Sequence, residues 1–312
     1  MKAIQIHGYG SSEVLEINNN APTPSVGKNQ VLVEGRAASI NPFDLGIVAG
    51  YFKDKIPLTF PVTVGGDFSG VVSEIGEGVL QVKVGDEIYG SANTLGGGSG
   101  SFAELIVANV ANVVHKPKNT NFQEAAALPL AGASAVQGLE EHIHLQPGQK
   151  ICIHGGAGGI GHLAIQLAKS IGAHVATTVR TEDLSFAKQL GADEVIDYKT
   201  QAFETMLKEY NAVFVMAMGD VVQKSFAILK RGGILVSMVG QPDSTLAQTH
   251  GVTAIGQGTK TNTQHLARVA ELVESGKIKV NVDTVFPLVQ IKEAWEYKQT
   301  GHPKGKIVVS IQ

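Results

Sequence analysis

A chain of 312 residues is long enough for about two domains, and 43% hydrophobic against 17% charged residues argues for a large core and against disorder. A net charge of −3 leaves no basic field to hold nucleic acid or an anionic membrane. No apolar run approaches the ~18 residues that span a bilayer, and the lone Cys152 permits no internal disulfide, so a cytoplasmic protein of a reducing compartment is expected.

In chain order, Met1–Ile6 reads as a strand and not as a signal peptide. Three further β-branched stretches, Gln30–Ala37, Phe68–Gly76 and Phe102–Val107, read as strands separated by turn residues. Gly96–Ser101 is a loop between two of them; no Lys-Ser/Thr follows it, so a phosphate loop is not indicated. The rhythm changes near 122. Helical stretches Phe122–Leu128 and Ala133–His142 flank Pro129, and then strands and helices alternate. Ile151–His154, Ala173–Val179, Glu194–Ile196, Ala212–Met216 and Gly233–Val239 read as strands, and 160–171, 182–190, 201–209 and 220–230 as helices. Such alternation predicts an α/β fold with a doubly wound parallel sheet, extended at its edge by Thr253–Gln257. Gln264–Ser275 is a helix by its apolar spacing, and Gly305–Ile311 is a strand expected to return to the first domain. The expected domains are 1–121 completed by 263–312, and 122–262.

The densest signal is Gly156-Ala157-Gly158-Gly159-Ile160-Gly161, entered by an apolar strand and left by an amphipathic stretch, His162–Lys169. Gly-x-Gly-x-x-Gly in that context is the dinucleotide fingerprint. Its first glycine allows the turn, the second lets backbone approach a pyrophosphate, and the third lets helix and strand pack closely. The phosphates then sit at the positive end of the helix. Where NAD is preferred, an acid ends the next strand ~20 residues on. Here that position falls at about Val179, followed by Arg180, which can pair with a 2′-phosphate. NADPH is therefore the expected cofactor. Met218 and Val239, at the ends of two later strands, are further candidates to contact it.

Other chemistries lack their residues. His142 and His144 are joined by no convergent acid or cysteine, so no metal site is expected. No Gly-x-Ser-x-Gly elbow is present. His154 abuts the glycine turn, where packing and hydrogen bonding are its expected role. Oxidation of a secondary alcohol needs a strong acid–base or a zinc, and neither is evident. Reduction of an activated acceptor needs less. Hydride can pass to a quinone, or to the β-carbon of an unsaturated carbonyl, while a few donors stabilise the developing oxyanion.

Six stretches carry a family resemblance: Ala38–Asp44, Gly65–Val72, Val84–Gly90, Ala125–Gly132, the fingerprint, and His302–Val308. On them the whole chain resembles the zinc-free quinone oxidoreductase (ζ-crystallin-like) branch of the medium-chain dehydrogenase/reductase superfamily. The resemblance implies a GroES-like β-rich catalytic domain, a Rossmann NADP-binding domain and a cleft between them. It also implies a homodimer joined through edge strands, with Gly251–Gly256 the candidate edge. Positions that hold a cysteine and a His-Glu pair in zinc-dependent members look like Asn41 and Gly66-Asp67 here. By the same resemblance Asn41 and Asp44 lie by the nicotinamide and the substrate, and are the catalytic candidates. Asn41 would orient the nicotinamide ribose or donate to a carbonyl oxygen. Asp44 reads equally as a helix N-terminal acid. Ser134 matches a position near the nicotinamide, Tyr198 one beside the adenosine 2′-phosphate, and Lys306 one within reach of the cofactor or cleft. Gly46 and Phe52 replace tyrosines common in relatives, with Tyr51 a candidate substitute, and Met216 replaces an acid after the fourth Rossmann strand. These departures point to an apolar, roomy pocket suited to a lipid-derived enone or an alkylated quinone. The expected function is NADPH-dependent, zinc-independent reduction of quinones or α,β-unsaturated carbonyls. The alternative is a catalytically silent NADPH-binding sensor or scaffold.

Overall fold

The computed structural model describes residues 1–54 and 57–311. The chain opens with strands β1 (Ala3–Ile6), β2 (Glu16–Asn18) and β3 (Gln30–Ser39), then helix α1 (Pro42–Val48). Strands β4 (Val62–Thr63), β5 (Asp67–Ile75), β6 (Glu87–Ser91), β7 (Leu105–Asn109) and β8 (Val113–His115) follow, then helices α2 (Phe122–Ala126) and α3 (Pro129–Val136). A π-helical stretch, Gln137–His142, leads to the alternating part. It comprises β9 (Lys150–His154), α4 (Gly161–Ile171), β10 (His174–Val179), α5 (Leu184–Gln189), β11 (Glu194–Asp197) and α6 (Phe203–Met206). It continues with β12 (Tyr210–Val215), α7 (Val221–Ser225), β13 (Leu229–Ser237), α8 (Ser244–His250) and β14 (Thr253–Gly256). The tail adds α9 (Thr263–Glu274), β15 (Val282–Pro287), α10 (Ile291–Thr300) and β16 (Lys306–Ser310).

Two compact units result. One holds Met1–Leu130, Thr261–Glu274 and the chain from Val280; the other holds Ala131–Lys260 and Ser275–Lys279. The divide at Leu130/Ala131 differs from the expected 121/122 by helix α2. That helix packs on β3 and β5, and the Ser69 hydroxyl on β5 donates to the Phe122 carbonyl at 2.6 Å.

The first unit is mostly antiparallel. A small sheet runs β2-β1-β4, and a larger one β15-β16-β3-β5-β6-β8, with β7 also paired to β3. Residues 102–104, expected in a strand with Ile106, instead bond to the small sheet through Phe102 and Glu104, so β7 starts at Leu105. Ile4, Ile6, Phe102, Leu288, Trp295 and Val309 form its core. The strand β3 lies between β5 and β16 and runs antiparallel to both. Its C-terminal end therefore meets the beginnings of its two neighbours.

The second unit is one parallel sheet of order β11-β10-β9-β12-β13-β14, with the reversal of strand order beside β9. Helices α4 and α5 pack on β9, β10 and β11, and α7 and α8 on β12, β13 and β14. Buried Cys152, Val213, Phe226 and Leu235 share its core. Pro129 begins α3 rather than ending a helix, since a proline at the first helical position forfeits no hydrogen bond.

Candidate functional site

In the second unit, β9 delivers the chain into the glycine turn at the switch point of the sheet, where open α/β sheets bind ligands. The left-handed residue is Gly155 (φ +80°), one before the fingerprint, and not Gly156 as the pattern suggested. Gly156 is needed for a different reason: a Cβ there would strike the Thr177 hydroxyl of β10. Gly161 allows close packing as expected, because a Cβ would fall on the Gly155 carbonyl and the Gly156 Cα. Gly158 has only the Gly155 carbonyl at 3.3 Å from its would-be Cβ. That contact is tight, but milder than those at Gly156 and Gly161. Helix α4 begins beside it with Ile160 at its N-cap and no side-chain cap. The N–H groups of His162 and Leu163 bond back to the Gly158 and Ile160 carbonyls, both at 3.1 Å, and no side chain caps the helix start. His162 Nδ1 donates to the Gly158 carbonyl at 2.9 Å and fixes the loop.

At the ends of β10 and β11 the structure brings Val179, Arg180 and Tyr198 together, since Tyr198 N donates to the Val179 carbonyl. The Val179 side chain is buried with Ala157 and Ala187. Arg180 donates through Nε and Nη2 to Asp183 Oδ2, both at 3.1 Å, so the guanidinium is aimed by a buried carboxylate. Burial raises the half-exposed Tyr198 phenol above its ordinary value, and the charge of Arg180 opposes that rise. Met218 and Val239 line one cavity of about 150 Å³ with Ser237 and Gln241. Buried Ser134 pairs with Thr259 Oγ1 at 2.7 Å, and its carbonyl accepts from Gln257. His154 is a packing residue, as expected. It bonds Thr178 and Ser225, stacks edge-on against Phe203, and burial pushes its pKa down to about 3.

In the first unit, Asn41 and Asp44 open α1. The Asn41 N–H donates to Asp44 Oδ2 at 2.8 Å, so Asp44 does cap the helix. It also lines a recess with Phe43, Ile47, Leu58, Val62, Asn93 and Leu95. The recess is mixed in character, with Thr63 and Thr94 also lining it, and small, at about 20 Å³, space for about one water. Tyr51 is 82% exposed and does not line it; Phe52 packs on Phe43 instead. Around Asn41 lies a buried polar cluster. Its Nδ2 donates to Asp67 Oδ2 at 2.9 Å, and its Oδ1 accepts from Lys306 Nζ. Asp67 also accepts from the Ser39 hydroxyl at 3.3 Å and from Leu130 N–H, and lies 3.8 Å from Lys306 Nζ. Lys306, expected to reach a cofactor, is 2% exposed and turned inward to Asn41 and Asp67.

Burial and then the charge of Asp67 push the Asp44 carboxyl up to about 7, against the pull of the Asn41 N–H and of Lys306. Burial likewise raises Asp67 and lowers Lys306. Half-buried Lys298 on α10 is held down to about 8 by burial and by Lys306. Asp67 was missed as a site residue, although an aspartate between glycines and an apolar strand is a visible anomaly. Nothing in the sequence marked Lys298.

Residues 27–118 match the alcohol dehydrogenase GroES-like domain family, and 190–309 the zinc-binding dehydrogenase family. The chain is 33% identical to the chloroplast envelope quinone oxidoreductase homolog of Arabidopsis thaliana, covering 99% of this chain and 98% of that one. It belongs to the medium-chain dehydrogenase/reductase superfamily. Within that superfamily it is 36% identical to the chloroplastic NADPH-dependent alkenal/one oxidoreductase of Arabidopsis thaliana, over 99% of this chain and 79% of the relative. The quinone oxidoreductase of Coxiella burnetii superposes with a TM-score of 0.92 at 33% identity, covering 100% of this chain and 99% of that one. The zinc-free quinone oxidoreductase branch agrees with these relatives. In this medium-chain reductase, the positions of the zinc ligands do not fit a zinc ion. Asn41 and Asp67 are spent on each other, on Ser39 and on Lys306, and Gly66 offers no side chain. Among the described residues no group of three or more His, Cys, Asp or Glu is placed to hold a metal, and no helix is long and apolar enough to cross a membrane.

Proposed function

We propose that this protein is an NADPH-dependent reductase of quinones and α,β-unsaturated carbonyls that works without zinc. One observation carries the cofactor. Gly158 is the least crowded of Gly156, Gly158 and Gly161, it sits where no side chain caps the start of α4, and in the fingerprint it is the glycine that lets backbone approach a pyrophosphate. When bound, NADPH supplies the hydride. The residues do the rest. The loop Gly156–Gly161 and the start of α4 hold the diphosphate, with Ala157, Gly159 and Ile160 presenting backbone to it. Val179, Arg180 and Tyr198 take the adenosine end, Arg180 pairing with the 2′-phosphate. Ser134, Met218 and Val239 complete the cofactor contacts. Asp44, proton-bearing near neutral pH, donates to the acceptor oxygen as charge develops there. Asn41 supplies a hydrogen-bond donor to the same oxygen. The names of the alkenal/one and quinone oxidoreductase relatives support this acceptor class.

The test is the initial rate of NADPH oxidation against a naphthoquinone and a medium-chain alkenal, with NADH in parallel. Turnover with NADPH alone is expected. Binding of NADPH without turnover of either acceptor moves the reading to a silent sensor or scaffold.

We further propose a cytoplasmic homodimer. Strand β14 is the last strand of its sheet, and such edges are usually paired or covered. The one cysteine is a free thiol, which suits a reducing compartment. Light scattering is expected to give twice the chain mass; a monomer at micromolar concentration overturns the dimer, and fractionation with an organelle overturns the location.

A further inference from the structure

Asn41 is 4% exposed, and its two ends are chemically distinguished. The nitrogen faces a carboxylate, Asp67, and the oxygen faces an ammonium, Lys306. Turning the amide over would set its NH₂ against the ammonium and its oxygen against the carboxylate. Both contacts would be repulsive and neither could be relieved by water. The amide therefore has one orientation. Topology builds this arrangement. Ser39 pairs with Asp67 across β3 and β5, and with Val308 across β3 and β16. Two residues beyond Ser39, the chain reaches Asn41 just where β16 begins with Lys306.

The same pair brackets Asp44. Asp67 on β5 pushes its proton affinity up, while Lys306 on β16 and the Asn41 side chain push it down. Among the described residues, Lys298 on α10 also feels the charge of Asp44.

We propose that Asp67 and Lys306 are paired positioning residues, which fix the Asn41 carboxamide in one orientation and set opposite charges beside the group that holds Asp44. This rests on the reading above, in which Asn41 and Asp44 serve the reduction. Neither Asp67 nor Lys306 needs to touch the acceptor. Their effect is on which atoms of Asn41 remain to donate, and on whether Asp44 carries a proton at neutral pH.

The two charges act with opposite sign, so opposite responses are the signature. The experiment follows kcat/KM for a naphthoquinone across pH in the wild type, Asp67→Asn and Lys306→Met. In parallel, ¹³C NMR follows the carboxyl of Asp44, assigned through Asp44→Asn. In Asp67→Asn both the Asp44 midpoint and the alkaline limb of the rate are expected to move to lower pH, by about one unit. In Lys306→Met both move to higher pH by a similar amount. A role that is merely structural lowers the rate in both variants without moving either curve. Midpoints that stay put, or move the same way, overturn the proposal. Should Lys306→Met not fold, the double variant Asp67→Asn/Lys306→Met removes both buried charges together, which proteins tolerate better than one alone. Its midpoint is expected to return toward the wild-type value; a midpoint equal to that of Asp67→Asn overturns the pairing. Because NMR reads Asp44 without turnover, the two failures separate. Midpoints that move apart while the rate profile does not leave the clamp standing and remove Asp44 as the proton donor.

Discussion

The glycine turn of the second unit and the Asn41 cluster of the first are both polar sites, built by opposite means. The turn presents backbone to its ligand, with the His162 side chain holding the loop in place. Its glycines are there for what they lack, and the strand and all the glycines lie within twelve consecutive residues, Lys150–Gly161. The cluster uses side chains from the end of β3, the start of β5 and the start of β16, joined only after the sheet has formed. A backbone site tolerates no added atom, whereas a side-chain site tolerates no unbalanced charge. Each has its own mode of failure, and substitutions can separate them.

The largest effect is expected inside the turn. Gly161→Val drives a Cβ into the Gly155 carbonyl and the Gly156 Cα, and is expected to lose about 3 kcal/mol in denaturant unfolding. Gly158→Ala meets only one carbonyl at 3.3 Å. Its stability is expected within about 0.5 kcal/mol of wild type, while KM for NADPH rises about tenfold, the equivalent of ~1.4 kcal/mol. Equal destabilisation by the two would erase the distinction between a glycine kept for packing and one kept for a ligand. Next, Arg180→Ala removes a charge-assisted contact to the 2′-phosphate. KM for NADPH is expected to rise about ten- to a hundredfold with KM for NADH unchanged. Parallel loss of both cofactors would show that the Arg180–Asp183 pair serves structure alone.

A pH-dependent effect sharpens the other side of the comparison. Asp44 in the folded protein holds its proton up to about pH 7, whereas the unfolded chain releases it near 3.8. A raised folded pKa stabilises fully below 3.8, and that contribution is lost as pH rises toward 7, where the carboxylate must be buried charged. Asp44→Asn titrates no proton. Relative to wild type its Tm is expected to rise between pH 4 and pH 8, since the wild type loses the stabilisation of a protonated Asp44 over that range and the variant does not. A pH-independent difference would place Asp44 in solvent contact.

This contrast also sets what could be read from the sequence. The alternating half was legible strand by strand because each βα unit closes within about thirty residues. The glycine pattern was legible for the same reason, although the left-handed turn sits at Gly155 and not Gly156. Asn41, Asp44 and Lys306 were singled out only through family resemblance, and the contacts of Lys306 with Asn41 and Asp67 were not foreseen. Its partner Asn41 lies 265 residues away in the chain. No periodicity encodes that distance. Asp67 differed, since a charge at the head of an apolar strand has to be answered somewhere in the fold. The contact of Phe52 with Phe43 could not be foreseen either, because it is a matter of side-chain packing.

Cys152 gains a meaning from the chemistry around it. Quinones and enones are electrophiles that alkylate thiols, so a reductase of such acceptors is exposed to suicide by its own substrates. This chain carries a single sulfhydryl, at 0% exposure within β9, and burial pushes its proton affinity up so that the reactive thiolate is suppressed. The one thiol of the protein is thereby walled off from electrophilic acceptors.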